Sequence, residues 1–192
     1  MTNTAIQTES AATGNLPVPW IYNVDAVHSN VGFIVRHLVT SKVRGRFTDF
    51  AGVITIGDTP ETSSVEAVVQ AASITTDNEM RDGHLKSADF LDLDNNPTLT
   101  FKSTKITPKG ADFQMVGDLT LHGVTKSVVF DLEYLGTGPS MVPGASVAGF
   151  EARAEIDRRD FGVSFEGALE NGSLVVGHKI VLEFSIEAGQ QV

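Results

Sequence analysis

The sequence predicts an all-β fold: a single closed antiparallel barrel of about eight to nine strands, with one short helix inside a connection. Three observations carry that expectation. Apolar residues recur with a period of two in segment after segment, between punctuating Gly, Pro, Asn and Asp residues, which is the pattern of half-buried strands. Each segment sets polar or charged residues on its other face, as antiparallel sheets with one wet side do. Finally, an open sheet of this many strands would leave aggregation-prone edges, and closure removes them.

The elements follow in order. The first 16 residues, MTNTAIQTESAATGNL, are rich in Thr, Ser, Ala and Asn and show no amphipathic period, so residues 1–17 read as a disordered tail. Pro17 and Pro19 then stiffen the approach to Trp20. Trp20–Asp25 reads as a strand, and Val31, Phe33, Val35, His37 and Val39 alternate in the next. Val43–Ile56 and Val65–Ile74 continue the pattern. Thr76 to Asp92 breaks it: Thr76 and Glu79 have capping-box spacing, and the run NEMRDGHLKSADFLD favours a short helix despite Gly83. Alternation resumes at Leu99 and Phe101, at Phe113, Met115, Leu119 and Leu121, and at Val128, Phe130, Leu132 and Tyr134. Thr137–Ser146, with two prolines and two glycines, reads as a loop. Phe150, Ala152, Ala154 and Ile156 form one last apolar face but one, and Ile180, Leu182, Phe184 and Ile186 the last. One domain spanning 18–190 accounts for all of it.

Composition excludes several function classes. The chain has 192 residues, 24 acids against 14 bases, a formal charge of −10 and a pI near 4.8. Nucleic acid and anionic headgroups both call for a net basic face, which this chain lacks. With no cysteine, disulfide frameworks, thiolate metal sites and cysteine catalysis are out. No apolar run approaches the ~20 residues of a membrane-spanning helix. Met1–Pro19 contains no Lys or Arg and no apolar h-region. The expectation is a cytoplasmic protein as written, and a periplasmic or secreted one if a leader was removed.

A barrel of about eight strands is just wide enough to fill with side chains or to hold one small ligand. Eleven phenylalanines lie mostly on the apolar faces, opposite small residues such as Ala152, Ala154, Gly149 and Gly117. Rings facing small residues interdigitate into a solid core or line a cavity. Alternation alone leaves both open.

The order of the residues resembles a known family. Trp20, Asp25, His28-Ser29, Gly32-Phe33 and Arg36-His37 are followed by Val43-Arg44-Gly45-Arg46-Phe47, Phe50 and Gly52. Ser73-Ile74-Thr75-Thr76, Arg81-Asp82, His84-Leu85-Lys86-Ser87 and Asp89-Phe90-Leu91-Asp92 come next, then Pro97, Phe101 and Ser103-Thr104. Gly117-Asp118-Leu119-Thr120, Gly123-Val124-Thr125, Gly149-Phe150, Arg159-Asp160-Phe161-Gly162 and Val176-Gly177 complete it. This series is similar to the YceI-like family. The resemblance implies a lipocalin-like barrel that binds polyisoprenoid lipids, such as isoprenoid quinones or other long-chain amphiphiles, in an axial tunnel. It turns the choice between core and cavity toward the cavity. Strand parity then places Phe33, Val35, Phe101, Met115, Phe130 and Phe150 on its wall, and Phe90, Leu91 and Phe161 join them from the loops. His37 shares the Phe33 face and faces either a structural partner or a ligand's polar head.

The charged groups read as anchors. Arg81 and Asp82, with Arg159 and Asp160, are expected to be ion-pairing anchors that find partners elsewhere and pin the helix and the 158–162 turn to the barrel rim, since partly buried charges persist only when paired. With His84 they also make up the set an enzyme would use at the mouth. None of His28, His37, His84, His122 and His178 shows metal-ligand spacing, so no metal and no cofactor beyond a bound lipid is expected. The expected function is a non-catalytic carrier of a polyisoprenoid lipid, and the alternative an enzyme acting on such a lipid. The expected partner is that lipid, with no nucleic acid, no stable membrane span and a homodimer left open.

Overall fold

The computed structural model describes residues 16–38, 40–167 and 174–192. Most of the tail read at 1–17, and Val39, lie outside the described residues. Eleven strands make up one sheet: β1 (Trp20–Val24), β2 (Asn30–His37), β3 (Ser41–Phe47), β4 (Phe50–Ile56), β5 (Ser64–Gln70), β6 (Ile74–Thr75), β7 (Thr98–Lys109), β8 (Asp112–Leu121), β9 (Val124–Pro139), β10 (Ser146–Asp157) and β11 (Val176–Gln190). One helix, α1 (Glu79–Lys86), lies between β6 and β7, and short 3-10 turns occur at Pro60–Thr62, Ala71–Ser73 and Arg158–Phe161.

The sheet closes. Its order is β1-β4-β5-β7-β8-β9-β10-β11, and β11 pairs back to β1, with Tyr22 opposite Gln190. Eight antiparallel strands therefore form the ring. The remaining strands, β2, β3 and β6, extend from the other part of β11, where Leu182 faces Phe33 and Val176 faces His37. Strand β11 thus pairs with β10 along its length and divides its second edge between β1 and β2. The β8–β9 hairpin turns on His122 and Gly123, with φ of 52° and 71°, the two left-handed residues of a tight turn whose twist matches the strands.

Four boundaries differ from the sequence reading: Val65–Ile74 is β5 and β6 with the 3-10 turn Ala71–Ser73 between them, and three others differ for local reasons. Val43–Ile56 is two strands, because the chain turns at Thr48 and Asp49, where Thr48 N donates to Ser73 O (3.3 Å) and Gln70 N donates to Asp49 O (2.9 Å). The helix is capped by Asn78, whose side chain accepts from Arg81 N, and not by Thr76. Thr76 is already engaged by Arg81 and Asp82, and Asp77, at φ 58°, reverses the chain ahead of the cap. The loop read at Thr137–Ser146 is shorter: Ser146 pairs with Pro139 and Val147 with Gly138. Pro139 ends its strand, where a missing N–H does little harm.

The inner faces form two apolar clusters. One gathers Ile106, Phe113, Met115, Val128, Phe130, Ala152, Ala154, Ile156 and Phe161. The other gathers Tyr22, Ile54, Ile56, Ala148, Phe150 and Ala188 around the β1–β11 closure. The outer faces are polar. Cross-strand pairs such as Lys102–Glu66 (2.7 Å) and Arg153–Glu183 lie there in solvent, where each contributes under about 1 kcal/mol.

Candidate functional site

An apolar cavity of about 180 Å³ lies inside the barrel. Its wall includes Phe33 from β2, Phe47 from β3, Phe50 and Ile54 from β4, Val65 and Val69 from β5, Leu99 and Phe101 from β7, Met115 from β8, Phe130 and Tyr134 from β9, Phe150 and Ala152 from β10, and Leu182, Phe184 and Ile186 from β11. Among the described residues the lining holds no Asp, Glu, Lys, Arg or His. Its polar side chains are Ser63, Ser64, Thr100 and Tyr134. Tyr134 is hydrogen-bonded to the Thr137 hydroxyl, and Ser63 Oγ donates to Thr59 O (3.0 Å).

Two of the wall rings stand over glycines. A Cβ built on Gly45 would meet Phe33 Cζ at 2.3 Å, and one on Gly117 would meet Phe101 Cζ at 2.3 Å. Without side chains at 45 and 117, both rings settle against the wall. Phe101 then meets Phe130 edge-on at 5.3 Å between centroids, and Phe130 leans on Phe184 at 5.5 Å. These are favourable aromatic geometries. A row of three rings crosses the interior, and a cavity remains beside it.

Of the residues placed on the ligand wall from sequence, Phe33, Phe101, Met115, Phe130 and Phe150 line this cavity. Val35, His37, Phe90, Leu91 and Phe161 lie off it. Val35 and His37 are on the half of β2 that pairs with the start of β11, past the closed ring, and the cross-strand neighbours Val43, Ile180 and Val176 are off the lining as well. Phe90 is buried against His84 and Phe165, at centroid distances of 5.0 and 4.8 Å. Leu91 is buried beside it, its N–H donating to Leu85 O at 3.1 Å. Phe161 packs into the first core cluster. Sequence reasoning missed Phe47 and Phe50. In one continuous strand they point to opposite faces, but the turn at Thr48–Asp49 resets the parity and both rings face inward. It also missed Leu16, which lines the cavity from a segment read as tail.

The model of the YceI-like domain matches residues 22–188. The chain belongs to the YceI-like family. Among curated relatives, the UPF0312 protein SA2479 of Staphylococcus aureus (strain N315) is 36% identical over 168 residues, 86% of this chain and 95% of the relative. The crystal structure of the Campylobacter jejuni YceI protein is 30% identical, covers 88% of this chain and 96% of its own, and superposes with a TM-score of 0.71. A polyisoprenoid binding domain from Saccharophagus degradans, described as implicated in plant cell wall breakdown, shares the fold at a TM-score of 0.64 and 16% identity, over 88% of this chain and 98% of that one.

In this YceI-like barrel Arg81, Asp82 and Arg159, read as anchors, have identifiable partners. Asp82 accepts from Thr76 N (2.8 Å), Thr75 Oγ1 (3.0 Å) and the Thr76 hydroxyl. Burial pushes its carboxyl up, but those hydrogen bonds and the Arg81 charge outweigh it and hold the group below the usual carboxylate range. Arg81 donates from Nε to Thr76 Oγ1 (2.7 Å) and from a terminal nitrogen to Thr76 O (2.9 Å). Both side chains therefore clasp one threonine after β6 instead of pairing with each other. Arg159 pairs with Asp157 at 2.6 Å, not with Asp160. That hydrogen bond holds the Asp157 carboxyl far below its ordinary value, against the opposing effect of burial.

The buried arginine of this turn is its neighbour Arg158, only 2% exposed. It donates to Val163 O (2.6 Å), Gly177 O (3.1 Å) and Val176 O (3.4 Å). Burial lowers its pKa, while the charges of Glu166 and Asp157 act in the opposite sense. One fork thereby ties the end of β10 to the start of β11. The two adjacent arginines look equivalent in sequence, and only the fold decides which is inside.

The histidines are dispersed. His84 faces Asp89 at 2.8 Å, His178 faces Glu166 at 3.3 Å, and His122 lies 3.2 Å from Phe161 O. His28 is 2.9 Å from Asp25 and 3.8 Å from Glu187. Among the described residues, Asp25, His28 and Glu187 are the group whose ligand-type atoms all lie within 4.8 Å. Spacing could not show it, since Glu187 reaches the site only through β11. The Asp25 hydrogen bond, then the Asp25 and Glu187 charges, raise the His28 pKa and so favour its protonated form.

Proposed function

We propose that this chain is a non-catalytic carrier that holds the tail of a polyisoprenoid lipid, an isoprenoid quinone or a similar long-chain amphiphile, inside the barrel. The observation that carries this reading is the lining: rings and aliphatic side chains from all parts of the ring, with no acid or base among them. Such a wall stabilises an apolar tail by roughly 25 cal/mol per Å² removed from water and supplies no group for proton transfer. The Saccharophagus degradans domain of the same fold is described as polyisoprenoid binding, which supports the ligand class.

Size adds a requirement. At about 180 Å³ the cavity slightly exceeds the ~150 Å³ that takes a benzene and falls below the ~300–1,000 Å³ of sites for drug-sized ligands. A long tail enters when rings of the Phe101–Phe130–Phe184 row rotate, and the cavity enlarges as it fills. An enzyme reading would need convergent charged groups at the mouth. Arg81 and Asp82 are instead spent on Thr76, and Arg159 on Asp157.

The test is extraction of purified protein with organic solvent followed by mass spectrometry. A recovered, unmodified prenyl lipid is the expected result. A lipid consumed on incubation, with product released, overturns the carrier reading. Ala152 lines the wall opposite Leu132 and Phe184, so Ala152→Phe should abolish lipid recovery from a folded barrel, at a stability cost of ~1–3 kcal/mol.

A further inference from the structure

Three runs of the chain that meet at one end of the barrel carry no charged side chain. Leu16–Val24, Tyr134–Phe150 and Ala188–Val192 contain no Asp, Glu, Lys, Arg or His, in a chain that is 20% Asp, Glu, Lys and Arg and carries a net −10. The fold gathers these three runs. Trp20 Nε1 donates to Gln191 O at 2.6 Å, and Gln191 N donates to Ile21 O at 2.8 Å. Ser146 N, at the foot of the 140–145 loop, donates to Gln190 Oε1 at 3.1 Å. Tyr22 Oη donates to Val18 O at 3.0 Å.

Large apolar side chains stand in water around this rim. Met141 is fully exposed, Val18 is 60% exposed, Leu135 54% and Trp20 51%, and Val142 is half exposed. The loop that carries Met141 and Val142 is held in shape: Ser140 N donates to Ala145 O and Ala145 N to Val142 O, both at 3.1 Å. The rim also borders the cavity. Leu16, four residues before Trp20, lines it, and so does Ile56, the β4 partner of Trp20.

Exposed apolar groups clustered on a soluble protein mark a surface that meets something, and the charge pattern selects what. A chain at −10 is repelled by anionic surfaces, and the nearby 57–63 loop adds Asp58 and Glu61. The sector formed by the three runs, without charged side chains and with an indole at its edge, fits an uncharged lipid–water interface, where tryptophan concentrates and small apolar groups insert. We propose that this rim docks on a bilayer of electrically neutral headgroups, with Met141 and Val142 entering the acyl boundary and Trp20 at headgroup level. Docking brings the Leu16 end of the cavity to the membrane. The purpose of docking rests on the carrier reading; the docking itself does not, and is measured with no lipid extracted from or loaded into the barrel.

Trp20 is the protein's one tryptophan, so its emission reports the rim alone. The full chain is titrated with phosphatidylcholine vesicles, with and without brominated acyl chains. The expected result is a blue shift, quenching by the brominated chains, and at least about a tenfold weaker partition for the Met141→Asp, Val142→Asp double variant. Val129→Asp, midway along β9 and also exposed, should bind as the parent does. Absence of bromolipid quenching overturns the proposal, as does an equal loss in Val129→Asp. Binding confined to phosphatidylglycerol vesicles at low salt overturns it too. A blue shift that grows with protein concentration without vesicles assigns the rim to a second copy of the chain instead.

Discussion

The ring of Phe101 occupies the space that a side chain at residue 117 would take, its Cζ 2.3 Å from where a Cβ on Gly117 would stand. Phe101 is also the first ring of the row that crosses the interior. A methyl group at 117 therefore acts on the cavity as well as on packing. Gly117→Ala should cost ~1–3 kcal/mol in urea unfolding and reduce lipid recovered per barrel, as the displaced ring turns into the cavity. Unchanged recovery with unchanged stability would show that the ring is not held as described.

Arg158 is expected to resist conservative replacement. Its fork satisfies carbonyls on both sides of a chain crossing, and a lysine has one point of attachment where three carbonyls wait. Arg158→Lys should lose ~2–4 kcal/mol, the scale for orphaned buried partners. Arg159→Lys, on the exposed pair with Asp157, should lose less than about 1 kcal/mol. Denaturant unfolding of the two variants side by side checks the contrast.

Asp82 gives a pH signature of definite sign. Its carboxyl is lowered in the folded protein, so its contribution is present above the ordinary carboxylate value of 3.8 and is lost as pH falls through the lower folded value. Asp82→Ala removes three hydrogen bonds at a half-exposed site and should cost ~1–2 kcal/mol near neutrality. The deficit relative to the parent should shrink in acid, below about pH 3. Thermal unfolding of both proteins across that range decides it.

His28 should titrate above the ordinary imidazole value of 6.5, because Asp25 accepts its proton-bearing nitrogen and Glu187 adds a second negative charge. A raised folded value means that the coupling is complete below the unfolded imidazole pKa and fades as pH rises through the folded one. Proton NMR of the imidazole gives the midpoint. Asp25→Asn should bring it back toward 6.5, and Glu187→Gln should lower it by less.

Much of the barrel was legible in the sequence because its wall residues obey strand parity. Met115 and Phe130 sit in strands whose alternation runs unbroken past them, Phe101 and Phe150 keep the parity of their own segments beside the irregularities at 103–105 and 149–150, and the structure puts all four on the cavity. Legibility failed where parity is reset or overrun. Phe47 and Phe50 flank a turn that no proline or glycine announces, and Val35 keeps the right parity on a stretch of β2 that has passed the end of the cavity. Loop residues had no period to read: Phe90 and Leu91 are buried, but under α1 and against Phe165 rather than on the cavity. The charged pairs were legible only as anchors. Arg81 and Asp82 read as residues that find partners elsewhere and hold the helix, but no spacing names those partners, which are the backbone and hydroxyl groups of Thr75 and Thr76.

The shared edge of β11 sets the order in which this protein can be made. The ring shuts by pairing Tyr22 with Gln190, residues separated by almost the whole chain, and β2 completes its own pairing only against residues 176–185 of the same strand. A ribosome must therefore release nearly all of the polypeptide before either seam can form. Until then Tyr22 and Phe33 have only their β4 and β3 neighbours, and their β11 side stays unpaired. Such long-range closure belongs to the slow end of folding, on the order of milliseconds to seconds. During that interval the apolar inner faces that later line the cavity stay open to their surroundings.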